Sequence, residues 1–351
     1  MPVRQVWRID KAGSLNRLKS EQDELPGPGP GQVRVAIAAV GLNFADVFAC
    51  LGLYSATPEG PFVPGLEFAG VVEEAGTGVT GLVPGSAVVG LTRFGAYATH
   101  SNVDAKYLRS LPDGWTMADG AAYPVQAITA WYAIRDLGAY KAGDAVLVHS
   151  AAGGVGLNAL AILTALGARV VATVGGEAKR PFLMTHAGLR AEQIIVRDRR
   201  RFGAQLDEAL RANGLSGFDL VLDAVAGPYF EPAYRRLRPA GRLVIYGAAD
   251  LMPQGSRPNW LRLASRYLRR PHVDPVQMIS DNRSVMGFNL IWLWDRADRL
   301  GSIYDDLAAV IRRPPHIGRR FAFADAPAAM RYLQGGGSVG KVVLEVEPGT
   351  R

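Results

Sequence analysis

One stretch limits the fold more than any other: VLVHSAAGGVGLNALAILTALGARVVATVGGEAKR, residues 146–180. The run AVLVHS (145–150) is short and almost wholly apolar, as a strand buried on both faces requires. A tight glycine turn follows, then an apolar helix, LNALAILTALG, then a second strand, ARVVATV. AAGGVG fits the G-x-G-x-x-G pattern of a dinucleotide-binding turn, with Ala151 in place of the first glycine. Gly153 lets backbone approach a pyrophosphate, and Gly156 lets the helix pack closely on the strand. The helix start, with Gly154 and Val155, offers N–H groups and a positive dipole end to phosphate.

The same cycle repeats downstream. A helix runs to His186, followed by strand EQIIV, helix FGAQLDEALRAN, strand FDLVLDAV, helix PYFEPAYRRL and strand GRLVIYG, which ends at Gly247. Strands alternating with helices predict a doubly wound parallel sheet of the Rossmann type. The chain before Trp115 reads differently. Residues 1–25 suggest a β-hairpin, and VRVAIAAVGLN, PFVPGLEFAGVVEEAG, SAVVGL and AYATHSNV are short strands between glycines. That is a compact β-rich unit, joined to the sheet by a helical stretch, MADGAAYPVQAITAWYAI. Residues 251–284 are Pro- and Arg-rich without clean period, which predicts a surface loop beside the site, and VMGFNLIWL predicts a last strand. Two helices, SIYDDLAAVIRR and APAAMRYLQ, and a strand, KVVLEV, close the chain. The expected division is 1–125 with 291–351 for one domain and 126–290 for the nucleotide domain.

Composition narrows the functional classes. At 351 residues the chain is long enough for two cores, and 48% hydrophobic with 20% charged residues is an ordinary soluble balance. No apolar run reaches the roughly 20 residues of a membrane span. MPVRQVWRIDK lacks a signal peptide's apolar middle, so a cytoplasmic location is expected. The net charge of +7 gathers in arginine clusters such as RDRRRF (197–202) and RYLRRP (266–271). These lack the interleaved aromatics of a nucleic-acid platform and read as solvated helix faces and loop ends. Part of the charge suits an anionic, phosphorylated cofactor. The single cysteine, Cys50, excludes any intrachain disulfide and any site needing two thiolates.

Cofactor choice is read at the end of the second strand. A site for NAD presents Asp or Glu there to the ribose 2′-hydroxyl. This chain has Val174, Gly175 and Gly176, with Glu177 nearby, then Lys179 and Arg180, and Arg197 ends the next strand. Removing the acid and adding cations suits a 2′-phosphate, so NADPH is expected over NADH.

VGLNFADVFACLGLY (40–54), PFVPGLEFAGVVEEAG (61–76), HSAAGGVG, ATVGGEAKR and SVGKVVL (338–344) resemble the medium-chain dehydrogenase/reductase superfamily over nearly the whole chain, and within it the quinone oxidoreductase branch. DNRSVMGFNLIWL (281–293) is similar to the VAT-1 homologues of that branch. The resemblance implies a GroES-like β-rich catalytic domain beside the Rossmann domain, and homodimers joined through the nucleotide domain. At the superfamily's zinc-ligand positions stand Asn43 and Leu66, poor substitutes for thiolate and imidazole, and its structural-zinc lobe needs four cysteines. No metal is therefore expected. The five histidines show no ligand spacing, and His149, inside an apolar strand, reads as a satisfied core residue.

The resemblance also implies site residues. Asn43 and Tyr54 would hydrogen-bond a substrate carbonyl, Asp46 would orient them, and Phe48 stands where some relatives carry tyrosine. Thr129, Phe288 and Asn289 would lie near the nicotinamide, Gly247 beside the cofactor, and Lys341 in a family motif near it. The implied activity is metal-free hydride transfer from NADPH to a quinone or α,β-unsaturated carbonyl. The alternatives are an enoyl-thioester reductase of the same superfamily and a non-catalytic NADPH-binding interaction protein.

Overall fold

A computed structural model describes residues 2–347. The first strands, β1 (Val3–Ile9) and β2 (Leu18–Glu24), pair as the expected antiparallel hairpin. Next come β3 (Gln32–Gly41), α1 (Phe44–Cys50), β4 (Glu67–Ala75), β5 (Ala87–Leu91), β6 (His100–Asp104) and β7 (Leu108–Ser110). These strands join the C-terminal β14 (Ile317–Ala322) and β15 (Lys341–Glu345) in one sheet, ordered β14-β15-β3-β4-β5-β7, with β6 against β3. The chain's end thus returns to its beginning, and Val343 lies opposite Gly41.

The helical stretch after Trp115 is broken in two. α2 (Met117–Ala121) is capped by Thr116 and Asp119, and α3 (Pro124–Trp131) starts afresh at a proline that has no N–H to donate. The parallel unit follows: β8 (Ala145–Val148), α4 (Gly154–Ala165), β9 (Arg169–Val174), α5 (Arg180–His186), β10 (Ile194–Val196), α6 (Phe202–Ala212), β11 (Phe218–Asp223), α7 (Phe230–Tyr234) and β12 (Leu237–Ile245). With β13 (Ser284–Gly287) it forms a parallel sheet ordered β10-β9-β8-β11-β12-β13. Side chains alternate between its faces. Val146 and Val148 join the core shared with α4, whereas Leu147, Val171 and Val221 pack under α6 and α7 with Phe202, Leu206 and Phe230. The order turns about β8, between β9 and β11, and the glycine turn leaves β8 at that switch point, where such sheets open a ligand crevice.

Two expectations are corrected. VMGFNLIWL is not one strand: β13 ends at Gly287, and Leu290–Leu293 form a short 3-10 turn. Residues 251–284 are not an irregular loop but carry α8 (Trp260–Leu268) and α9 (Pro275–Asp281). The missed signals were caps: Asn259 Oδ1 accepts from Arg262 N at 3.0 Å, and Asp274 Oδ1 accepts from Val276 N at 2.9 Å ahead of Pro275. Trp260, Leu261 and Leu268 on α8, and Val276 and Ile279 on α9, face solvent beside β13, the edge strand. The remaining helices, α10 (Ala297–Val310) and α11 (Ala326–Gln334), pack their buried stripes into the shared core. No helix among the described residues is long and apolar enough to cross a membrane.

Candidate active site

A cleft of about 780 Å³ opens between the two sheets. Of the residues singled out from sequence, Asn43, Tyr54, Thr129, Gly153, Gly154, Val155, Gly156, Lys179, Arg197, Gly247, Phe288 and Asn289 line it. The glycine turn forms one wall. Gly153 caps α4 in extended conformation. The carbonyl of Ala152 accepts from Gly340 N at 2.8 Å, which ties the turn to the strand leading into β15. A Cβ on Gly154 would lie 1.6 Å from Gln126 Oε1, and one on Gly156 would lie 2.6 Å from Ala151 Cα. The turn therefore admits no side chain at these positions, and the first-turn N–H groups of α4 have no intrahelical acceptor.

Only two charged side chains line this cleft, and both are cations. Arg197 donates to Thr173 Oγ1 at 2.8 Å and sits 5.2 Å over the Tyr229 ring. Its Nε is buried without a partner. Lys179 Nζ donates to the carbonyls of Gly336 and Ser338 at 2.7 and 2.8 Å. Neither has a carboxylate within ion-pair distance among the described residues, and burial lowers both pKa values. A Cβ on Gly175 would come 3.3 Å from Arg197 Nη2, so this glycine makes room for the guanidinium.

Four expected residues do not reach the cleft. Arg180 turns the other way, donating to the Ala191 carbonyl and pairing with Glu177, because it starts α5 on that helix's outer side. Gly175, not Gly176, forms the wall. Asp46 and Lys341 are each 1% exposed and belong to a buried cluster behind it.

That cluster explains the α1 turn. Asn43 N donates to Asp46 Oδ2 at 2.8 Å, which caps α1, and Tyr97 OH donates to the same oxygen at 3.3 Å. Glu67 accepts from Asn43 Nδ2 at 2.7 Å, from Val125 N at 2.8 Å and, in a short contact, from Lys341 Nζ. Lys341 also donates to Asn43 Oδ1 at 2.9 Å. Gly41 is obligatory here, since a Cβ would sit 2.9 Å from both Glu67 Cγ and Lys341 Cε. Asn43 borders the cleft, yet its amide hydrogens face Glu67 and the Gly41 carbonyl, so the expected donor to substrate is turned inward. An ammonium group thus balances Glu67, and a divalent cation beside it would meet that charge. The described residues contain no group of three His, Cys, Asp or Glu side chains placed to hold a metal.

The donor that does face the cleft is Tyr54. Its hydroxyl donates to Asn289 Oδ1 at 2.8 Å across the opening, and burial pushes its pKa up to about 12. Phe44, Phe48, Leu66, Leu91, Leu290 and Trp294 make the surrounding wall apolar. Sequence reasoning passed over Gln126, Ser150 and Ser338, which also line the cleft. A polar residue in the largely apolar α3, three positions before Thr129, was the available signal for Gln126.

Two buried groups give opposing pH dependences. Burial raises Asp46 to about 7, so the stability this implies is present below pH 4 and is lost as pH rises toward 7. Burial, reinforced by Arg197 against a partial offset from Asp223, lowers His149 to about 4. The stability tied to neutral His149 is therefore lost as pH falls from 6.5 to 4. The two slopes offset each other in the intact chain. Asp46→Asn should expose the histidine slope, with stability falling as pH drops between about 6.5 and 4. Thermal melts across that range are the measurement, and an unchanged profile in the variant would refute the assignment.

Comparisons with known proteins agree with this architecture. The family description "Alcohol dehydrogenase GroES-like domain" matches residues 29–113, and "Zinc-binding dehydrogenase" matches residues 189–344. The chain is 32% identical over 335 residues to the human synaptic vesicle membrane protein VAT-1 homolog, covering 95% of this chain and 83% of that protein. It spans 66% of the length of the zebrafish counterpart. Two mycobacterial structures, a quinone oxidoreductase and Rv1454c complexed with NADPH, are both 28% identical. They superpose with TM-scores of 0.76 and 0.81, and each alignment covers 97% of this chain and 99% of the other. CurK enoyl reductase is 25% identical with a TM-score of 0.79, over 98% and 99% of the two chains.

A GroES-like sheet and a Rossmann-like parallel sheet, meeting at a cleft beside a glycine turn, define a two-domain dehydrogenase fold. The chain belongs to the medium-chain dehydrogenase/reductase superfamily of oxidoreductases, in the zinc-independent group that includes the VAT-1 homologues and quinone oxidoreductases.

Proposed function

We propose that this chain is an NADPH-dependent reductase that delivers hydride to an apolar quinone or α,β-unsaturated carbonyl without a metal. The observation that carries the reading is the pair Lys179 and Arg197, two partly desolvated cations at the nucleotide end of a cleft with no carboxylate in its lining. Burying two like charges is costly without a counter-charge. A 2′-phosphate supplies one, through charge-assisted hydrogen bonds. The turn from Gly153 to Gly156 would hold the pyrophosphate, and Thr129, Gly247 and Phe288 would border the nicotinamide. Held there, the dinucleotide would supply the hydride.

The chain's own residues position and protonate. The apolar wall orients a flat acceptor and excludes water. Tyr54, protonated throughout the neutral range, gives a proton to the acceptor and regains one from solvent at the mouth of the cleft. Asn43 acts by anchoring α1 to β4 and β15.

A second reading, an enoyl-thioester reductase, is favoured by the CurK likeness and by 40% identity over 257 residues to a component of the pikromycin polyketide synthase. One substrate comparison separates them. NADPH consumption is followed with a simple quinone, an enone and a crotonyl thioester, in wild type and Tyr54→Phe. An enone or enoyl thioester needs a proton on carbon, so Tyr54→Phe should lower kcat by about 10²-fold. A quinone can leave as its hydroquinone anion and take its proton on oxygen from bulk solvent, so the loss there should stay within a few-fold. Turnover of neither class above background would sink both readings.

We further propose a homodimer that covers β13 and the apolar residues of α8 and α9, since an open edge strand beside exposed Trp260, Leu261 and Ile279 is a surface that requires a partner. Light scattering should return twice the chain mass. Leu261→Glu should return one chain mass, and a monomeric wild type would refute the proposal.

A further inference from the structure

β8 is apolar at every position, and His149 follows it, fully buried. Its Nδ1 lies 3.2 Å from Thr173 Oγ1 on the neighbouring β9. That hydroxyl is also the acceptor for Arg197 Nη1, at 2.8 Å. A threonine hydroxyl has one hydrogen to give, and a guanidinium can only donate. Thr173 therefore accepts from Arg197, and its other side-chain contact is with His149 Nδ1. Burial keeps the imidazole neutral, and its Nε2 has no hydrogen-bond partner in this structure. The core histidine expected from sequence is thus half satisfied, and the half that is satisfied points toward the nucleotide cleft.

The chain of bonds matters because so little else holds Arg197. Beyond Thr173 it has a 3.5 Å bond to Ser150 Oγ and the Tyr229 ring. No carboxylate fixes it. Asp223, whose charge acts on both His149 and Arg197, spends one oxygen on the backbone N–H groups of Val225 and Ala226. An apolar residue at position 149 would take away the contact that holds the Thr173 hydroxyl in place. The hydroxyl would then rotate to find another, and its lone pairs would leave the guanidinium.

We propose that His149 and Thr173 are positioning residues: together they aim the Arg197 guanidinium into the cleft and so set the preference for a 2′-phosphorylated nucleotide over its unphosphorylated counterpart. This rests on the NADPH reading above and adds to it the two buried residues that make Arg197 selective.

The test is the dissociation constant of NADPH and of NADH, read by nicotinamide fluorescence on the full chain, for wild type, Thr173→Val, Thr173→Ser and His149→Leu. Thr173→Val keeps the shape and removes the hydroxyl. The expected result is NADPH binding about tenfold weaker in Thr173→Val and His149→Leu, with NADH within about twofold of wild type. Thr173→Ser, which keeps the hydroxyl, should retain the wild-type ratio. A folded Thr173→Val with an unchanged ratio overturns the proposal. So does an equal loss of both nucleotides, because that reports damage to the glycine turn and not a lost aim. If His149→Leu fails to fold, the two threonine variants decide. A wild type that binds NADH as tightly as NADPH fails at the first measurement and overturns the cofactor reading itself.

Discussion

Replacing Lys341 with methionine should destabilise the chain by about 3–5 kcal/mol, the loss seen when one partner of a buried ion pair is removed. Lys341 and Glu67 are 1% and 0% exposed, and among the described residues Lys341 is the only cation in hydrogen-bond contact with Glu67. The variant leaves a carboxylate in the core with only Asn43 Nδ2 and Val125 N as donors. Equilibrium urea unfolding measures the effect. Adding Glu67→Gln to Lys341→Met should recover at least half of the loss, because a neutral amide still accepts a hydrogen bond without carrying a buried charge. A single-variant loss below about 1 kcal/mol, typical of an exposed pair, would show that the cluster is solvated and the account above wrong.

Replacing Arg197 with alanine is expected to weaken NADPH binding by about 10- to 100-fold, since a hydrogen bond to a charged group contributes about 1.5–3 kcal/mol. NADH binding should change by no more than about twofold, or tighten slightly, because the variant also removes a desolvated charge with no ion-pair partner among the described residues. Titration calorimetry with each nucleotide gives both numbers. A parallel loss for NADH would mean that Arg197 serves the shape of the cleft and not the recognition of a phosphate. Lys179→Ala should show the same asymmetry more weakly, because the Lys179 ammonium already has two carbonyl partners on the loop before β15.

The outcome at the site separates what each level of structure can specify. The cations after β9 and β10 were visible in the sequence, but of Lys179, Arg180 and Arg197 the second does not line the cleft, and the reason is rotational. Lys179 immediately precedes α5 and Arg180 begins it, so adjacent side chains leave in different directions. Asn43 was legible as a residue that replaces a zinc ligand. Its amide could not be aimed from sequence, because the groups that turn it, Glu67 and Lys341, lie 24 and 298 positions away. The helices α8 and α9 were lost for a different reason. Their apolar residues point outward, so the usual signature of a helix with one face in the core does not apply.

By itself the sequence determined the parallel sheet, the glycine turn on its switch point, the poverty of metal ligands and the positive charge at the nucleotide end. Each is written in local periodicity, in backbone freedom or in the presence or absence of a residue type. Only the tertiary structure decided that Lys341 guards Glu67 instead of meeting a cofactor, that Tyr54 is the donor facing the cleft, and that Thr173 and His149 stand behind Arg197. Those assignments depend on the direction of long or rotatable polar side chains. Burial sets that direction, by requiring each polar atom to find whichever partner the fold has brought within reach.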